Sequence, residues 1–140
     1  MLYMLDTNIA SHVIRGDLPA IRQKIMIVPI ETLVISSVTE AELRYSVAKR
    51  GHPKALTHAV QLFLERVETL PWSSDVAIIY ADLRARTEKA GSPLAALDMM
   101  IAAHAKAADA VLVTRDKAFK GKALELILED WSLDSHQETS

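Results

Sequence analysis

Four acidic side chains stand where short apolar runs of the sequence end or where helices begin. They are Asp6, Glu42, Asp98 and Asp116. Each one alone has an ordinary explanation, as a helix-end charge, a solvated helix face or a turn former. Together they indicate a binding site, because clustered carboxylates repel one another and are tolerated mainly when a cation neutralises them.

The ligand types in this cluster favour a hard cation. The sequence contains no cysteine and no histidine pair with metal-ligand spacing, which leaves the carboxylate oxygens as the ligands. Oxygen ligands favour Mg²⁺ or Mn²⁺ over zinc. Such an ion clamps a phosphodiester and activates a water for attack on the phosphorus. The four acids therefore predict the hydrolysis of phosphodiester bonds, which is the reaction of a nuclease.

The acids are positioned by an alternation of strands and helices. Apolar runs predict short strands over residues 2–5, 33–35, 69–72, 110–114 and 126–128. Helices are predicted over 53–67, 74–90 and 97–108, and two more begin after Asp6 and at Thr39. This alternation predicts an α/β fold with a mainly parallel sheet covered by helices on both faces. In such sheets ligands bind beyond the carboxyl ends of the strands.

The composition narrows the class of protein. With 140 residues and a net charge of −2, we expect one domain over 1–132 and a polar, disordered tail over 133–140. The lack of cysteine, of a leader and of a long apolar stretch predicts a cytoplasmic protein without a membrane segment. Because the net charge does not favour nucleic acid, RNA must be bound by a local basic patch.

Five motifs resemble those of the PIN-domain family, and within it the VapC-like toxins, over residues 1–132. They are Met4-Leu5-Asp6-Thr7-Asn8, Ile35-Ser36-Ser37-Val38-Thr39 with Glu42-Leu43, Leu97-Asp98 with Ile101-Ala102-Ala103-His104-Ala105, Val113-Thr114-Arg115-Asp116 with Phe119, and Glu129-Asp130-Trp131. Their order and spacing together are specific. The resemblance implies a three-layer α/β/α sandwich, a divalent-metal site and cleavage of structured RNA, such as a tRNA anticodon loop or a ribosomal RNA loop.

The resemblance also implies roles for individual residues. Asp6, Glu42 and Asp98 would be catalytic acids that bind the metal, and Asp116 would be a fourth, more variable one. Asn8 and Thr114 would orient carboxylates and waters. Relatives frequently carry a Gly-Pro pair where this chain has 94–96, so we expect a more helical approach to the third acid.

Other polar residues have weaker patterns. A basic cluster adjoins the last acid and is either a solvated face or a set of RNA phosphate contacts: Arg115, Lys117, Lys120 and Lys122. His104 is predicted to be a structural histidine, because a metal-activated water needs no histidine base. Thr7 is interpreted as a helix-start residue.

An active ribonuclease in its own cell needs an inhibitor. The resemblance implies a VapB-like antitoxin as that partner, and operator DNA would be reached only through it. The apolar surfaces of the predicted helices 53–67 and 74–90 exceed what one small sheet covers. We therefore expect a homodimer within a larger toxin–antitoxin complex.

Two other functions remain open. The chain could act as a PIN-domain partner in a DNA-binding transcriptional regulatory complex, with little nuclease activity of its own. It could also be a phosphoaspartyl enzyme with Asp6 as the nucleophile. The second is disfavoured because Asn8 stands where such a nucleophile would need a second acid.

Overall fold

Five parallel strands form the centre of the computed structural model, which describes residues 1–133. The strands are β1 (Tyr3–Leu5), β2 (Leu33–Ser36), β3 (Glu68–Leu70), β4 (Val111–Val113) and β5 (Leu128–Glu129). The helices are α1 (Thr7–Arg15), α2 (Pro19–Ile27), α3 (Ser37–Ala48), α4 (Lys54–Arg66), α5 (Ser74–Lys89) and α6 (Ala96–Ala107). Short 3₁₀ helices cover Ile30–Thr32, Lys117–Lys120 and Lys122–Leu124. The predicted tail lies, apart from its first residue, outside the described residues.

The strand order is β3-β2-β1-β4-β5, and every neighbouring pair is parallel. The chain runs outward from β1 to β3 and then returns to the other side of β1, where β4 pairs with it. Met4 is opposite both Val34 of β2 and Leu112 of β4. This reversal of direction opens a crevice at the carboxyl ends of the central strands, where ligands bind in sheets of this kind.

The pleat of the sheet divides the core into two halves. Met4 and its neighbours on adjacent strands pack against α5 and α6 on one face, while Leu5, Ile35 and Val113 pack against α1, α3 and α4 on the other. Successive side chains of a strand point to opposite faces, so each central strand contributes to both halves. The predicted three-layer α/β/α architecture is confirmed.

The bounds of two helices correct the predictions. The helix predicted to begin at Thr39 begins at Ser37, because the Ser36 hydroxyl accepts a hydrogen bond from the Val38 amide at 3.1 Å and caps the helix. Of residues 94–96, where a more helical approach to Asp98 was expected, only Ala96 is helical, and α6 begins there. Residues 92–95 are not helical, and Leu94 instead packs against the core between α5 and α6.

Helix α2 was not predicted. It begins with Pro19, a residue favoured in the first turn of helices, and only Ile21 in it is buried. The apolar periodicity that indicates a helix is therefore weak here. Throughout residues 1–133, no helix has both the length and the apolar character required to cross a membrane.

Candidate active site

Asp6 is the most deeply buried of the four predicted acids, with 5% of its surface exposed. It directly follows β1 and caps α1, since its Oδ1 accepts a hydrogen bond from the Ile9 amide at 2.8 Å. Its Oδ2 accepts a hydrogen bond from the Thr114 hydroxyl at 2.5 Å. Both carboxylate oxygens are thus held in place by groups at the carboxyl ends of two adjacent strands.

Burial raises the pKa of Asp6 above its ordinary value of 3.8. The hydrogen bonds from Thr114 and Ile9 lower this pKa, while repulsion from Asp98 and Asp116 raises it further. The net shift is upward. The hydrogen bonds therefore do not compensate for removing this negative charge from water, and within residues 1–133 no cationic side chain forms an ion pair with this carboxylate.

Asp98 is half-buried in the first turn of α6. Burial is the main cause of its raised pKa, followed by repulsion from Asp116 and Glu42. Together with the repulsion between Asp98 and Asp6, these interactions indicate that Asp98 lies within electrostatic range of the other three acids. The four acids arrive from four separate elements, and Asp98 interacts with each of the other three.

Glu42 reaches this cluster from α3. Its Oε1 accepts a hydrogen bond from the Thr7 hydroxyl at 2.6 Å, and the same hydroxyl lies 3.2 Å from that of Thr39. Thr7 is the first residue of α1, as expected, but its side chain also holds Glu42. The sequence analysis did not predict this second role. The feature that could have indicated it is a hydroxyl side chain directly after an acid at the end of a strand.

Asp116 is exposed at the end of the loop that follows β4. Its amide donates to the Thr114 hydroxyl at 3.0 Å, and its Oδ1 accepts from the Ala118 amide at 2.9 Å. Thr114 therefore connects two of the acids, Asp6 and Asp116. Asn8 is exposed, and in residues 1–133 its side chain makes no hydrogen bond to any of the four acids, so its orienting role stays a prediction.

The basic cluster of Arg115, Lys117, Lys120 and Lys122 is exposed along the segment that follows β4. Its contact with RNA stays a prediction. His104 lies elsewhere, buried in α6, where its Nδ1 is 2.7 Å from the Ser36 hydroxyl and burial lowers its pKa below 6.5. A neutral, hydrogen-bonded histidine that joins α6 to the end of β2 fits the predicted structural role.

The four acids offer only carboxylate oxygens as ligands, and such ligands suit a hard divalent cation. Within the described part of the chain, no lysine, arginine or histidine forms an ion pair with any of the four acids. In the same residues, no three acidic or histidine side chains converge closely enough to enclose an ion. An open, all-oxygen cluster fits Mg²⁺ or Mn²⁺, which keep several waters and need only one or two carboxylates.

Comparison with known proteins identifies the family of the chain. Residues 3–124 match the family described as PIN domain. The chain is 35% identical to ribonuclease VapC2 of Rickettsia felis over 94% of this chain and 98% of that protein. It is 30% identical to the tRNA(fMet)-specific endonuclease VapC of Shigella flexneri, over 93% and 98%.

A solved structure resembles the whole fold. It is the crystal structure of VapBC2 from Rickettsia felis bound to a DNA fragment from its promoter, with a TM-score of 0.86 and 34% identity. The match covers 94% of this chain and 99% of that one.

Proposed function

The chain belongs to the PIN-domain family, and on this premise we propose that it is a divalent-metal-dependent endoribonuclease, the toxin of a toxin–antitoxin pair. The observation that carries the proposal is the cluster itself. Asp6 is buried and is repelled by Asp98 and Asp116, no cationic side chain of residues 1–133 pairs with it, and Glu42 completes the group. Such a cluster is costly for the fold and is explained by binding a cation.

Asp6 and Asp98 would hold the ion, with Glu42 and Asp116 contributing directly or through water. Mg²⁺ or Mn²⁺, when bound, would supply Lewis-acid chemistry that offsets the negative charge of the phosphodiester and makes it easier for the attacking water to lose a proton. We assign the ion to Asp6 and Asp98 because the fold raises the pKa values of these two acids, mainly through burial.

The chain's own residues orient the reacting groups. Thr114 and the start of α1 fix both oxygens of Asp6. Thr7 holds Oε1 of Glu42, and Oε2 accepts no hydrogen bond from residues 1–133. We assign Oε2 of Glu42 the task of accepting a proton from the attacking water. Water attack leaves a 5′-phosphate on one product and returns a proton to the 3′ oxygen of the other.

The substrate we propose is structured RNA with an unpaired loop. A relative is named as a tRNA(fMet)-specific endonuclease, which supports a tRNA anticodon loop over the alternative, a ribosomal RNA loop. Arg115, Lys117, Lys120 and Lys122 are placed to contact RNA phosphates beside Asp116. Such contacts position RNA without selecting its sequence.

The partner we propose is a small VapB-like antitoxin. The Rickettsia structure is a VapBC2 complex on promoter DNA, and a chain of net charge −2 is poorly suited to bind DNA by itself. This chain would therefore reach operator DNA only through its antitoxin, as a homodimer within a larger complex. A basic antitoxin side chain among the acids would replace the cation and block the site.

The DNA in the same Rickettsia structure supports a second candidate function, in which the chain is part of a DNA-binding regulatory complex; in that alternative it would contribute little nuclease activity. The two functions are separated by expressing the chain alone, beside an Asp6→Asn variant, and mapping cellular RNA ends after brief induction. The toxin proposal requires slowed growth and new RNA ends with the parent only. If neither protein cuts RNA, while the complex still binds operator DNA, the regulatory function replaces it.

A further inference from the structure

A groove of about 670 Å³ lies directly beside the acidic cluster, between the start of α1, one face of α3 and the start of α6. Glu42 and Thr7, both already placed in the site, line one end of it. Tyr45 of α3 and Lys49, the residue that directly follows α3, also line it. The groove is thus continuous with the site and is not a separate cavity.

The spacing on α3 puts these side chains on a single helical face. Tyr45 is three residues beyond Glu42, and Lys49 is four residues beyond Tyr45, which are the separations of neighbours on a helix surface. A rise of 1.5 Å per residue puts Lys49 about 10 Å from Glu42 along the axis. A short stretch of single-stranded nucleic acid covers such a distance.

Tyr45 and Lys49 have the chemistry of a nucleotide site. Tyr45 is 65% exposed, although an aromatic ring of this size is costly to leave in water. The Lys49 ammonium lies 5.4 Å from the centre of the Tyr45 ring, and Lys49 forms no ion pair with any carboxylate in residues 1–133. An exposed ring stacks an unpaired base, and a free ammonium binds a phosphate.

The sheet topology indicates how a single-stranded RNA would cross the acidic cluster. Asp6 follows β1, which lies between β2 and β4. Helix α3 follows β2 on one side of Asp6, and the basic cluster that begins at Arg115 follows β4 on the other. An RNA that crosses the acids would therefore meet cationic side chains on both sides of them.

We propose that Tyr45 and Lys49 form a subsite for an unpaired nucleotide of the substrate RNA, next to the bond that is cut. The base stacks on Tyr45 and a neighbouring phosphate contacts Lys49. The proposal rests on the nuclease function given above and adds a reason for loop substrates, since a base must be unpaired to stack on the ring.

The test uses Tyr45→Ala, Tyr45→Phe and Lys49→Met, each in the parent chain and in the inactive Asp98→Asn chain. The probe is a fluorescein-labelled single-stranded RNA 12-mer of mixed sequence, and Kd is measured by anisotropy. Tyr45→Ala should weaken binding about tenfold or more, while Tyr45→Phe, which keeps the ring, should bind as before. Lys49→Met should weaken binding and reduce the slope of log K against log salt by about one.

Cleavage of total tRNA by the same variants in the parent chain supplies the second measurement. Tyr45→Ala and Lys49→Met should raise KM much more than they lower kcat, because the subsite binds RNA away from the reacting atoms. Matched controls are Ile78→Ala, another exposed apolar residue, and Lys54→Met, an exposed lysine on α4. Both controls should retain parental Kd and KM.

The outcomes separate this inference from the proposed function. If the parent cuts RNA and both α3 variants match the controls, the subsite is wrong and the nuclease function stands. A Tyr45→Ala variant that changes the parent from dimer to monomer in light scattering shows that a second copy covers the groove, which also overturns the subsite. A parent that cuts no RNA overturns the nuclease function itself.

Discussion

The Thr7 hydroxyl donates a 2.6 Å hydrogen bond to the Glu42 carboxylate, although the two residues are 35 positions apart in the chain. This bond connects the first residue of α1 to the middle of α3. One proposed catalytic acid is therefore oriented by the residue that directly follows another, Asp6.

We predict that Thr7→Val lowers cleavage about 10- to 100-fold, the usual effect of removing a group that orients a ligand of a metal site. Thr7→Ser should restore activity because it keeps the hydroxyl. The measurement is kcat on total tRNA with saturating Mg²⁺, together with the Mg²⁺ concentration that gives half-maximal rate.

Thr57→Val is the matched control for this substitution. The Thr57 hydroxyl is a buried side-chain group that finds no hydrogen-bond partner within residues 1–133, and it belongs to α4, outside the acidic cluster. Thr57→Val should keep full activity and raise the free energy of unfolding by about 1 kcal/mol. An equal loss of activity in Thr7→Val and Thr57→Val would show that the effect of Thr7 is not specific.

A second prediction concerns the acids. Asp98→Asn, and likewise Asp6→Asn or Glu42→Gln, should reduce cleavage to background while the fold is kept. Asp116→Asn should be milder, because this exposed acid is able to hold the ion through a water. Without metal, Asp98→Asn should melt no lower than the parent, since it removes one of several mutually repelling charges. Full Mg²⁺-dependent cleavage by Asp98→Asn would contradict the assignment of that residue.

Removal of the ion gives a third prediction. Activity should require Mg²⁺ or Mn²⁺, disappear in chelator, and not be supported by Ca²⁺, whose longer and looser bonds misplace the reacting water. Mg²⁺ should raise the Tm of the parent, and this rise should be smaller in Asp98→Asn. Product ends are analysed for a 5′-phosphate. A 2′,3′-cyclic phosphate formed in chelator would exclude the proposed mechanism.

A fourth prediction concerns pH. In the unfolded chain Asp98 and Asp6 titrate near 3.8, and in the folded protein at higher pH. Between these values the folded state keeps protons that the unfolded state has lost, so stability falls as pH rises and is lowest above the folded pKa. The Tm advantage of metal-free Asp98→Asn over the parent should therefore shrink as the pH is lowered from 7 toward 4.

The pH experiment compares two proteins because His104 changes the stability with pH in the direction opposite to that of Asp6 and Asp98. Its pKa is lowered from 6.5 by burial, so the stability it contributes is present above pH 6.5 and is lost as the pH falls. His104 is the same in parent and variant, and its effect cancels in the difference. A constant Tm difference from pH 7 to 4 would show that the charge of Asp98 is not strained in the fold.

The sequence predicted the parallel sheet and the meeting of Asp6 with Asp116, because both follow strands whose carboxyl ends share one edge. It did not predict the bond between Thr7 and Glu42. That bond depends on how α1 and α3 pack, which apolar periodicity does not specify. The groove beside Tyr45 was missed for the same reason, since a concave surface forms only when separate helices are placed together.

The start of α6 shows a second reason why the sequence did not predict the whole structure. The replacement of a Gly-Pro pair at 94–96 suggested a helix, but local helix propensity is weak compared with tertiary packing. Leu94 is partly buried and packs against the core, and the helix begins at Ala96. Asp98 is consequently in its first turn, where the fold places it near the other acids.

Strand β4 is made late during translation, yet it inserts at the centre of the sheet beside β1, the first strand made. Until residues 111–116 leave the ribosome, Asp6 lacks both the Thr114 hydroxyl and the neighbouring Asp116. A nascent chain that is shorter than this has no complete acidic site. The order of strands therefore means that the proposed site is completed only after residue 116 has been synthesised, although its first acid is residue 6.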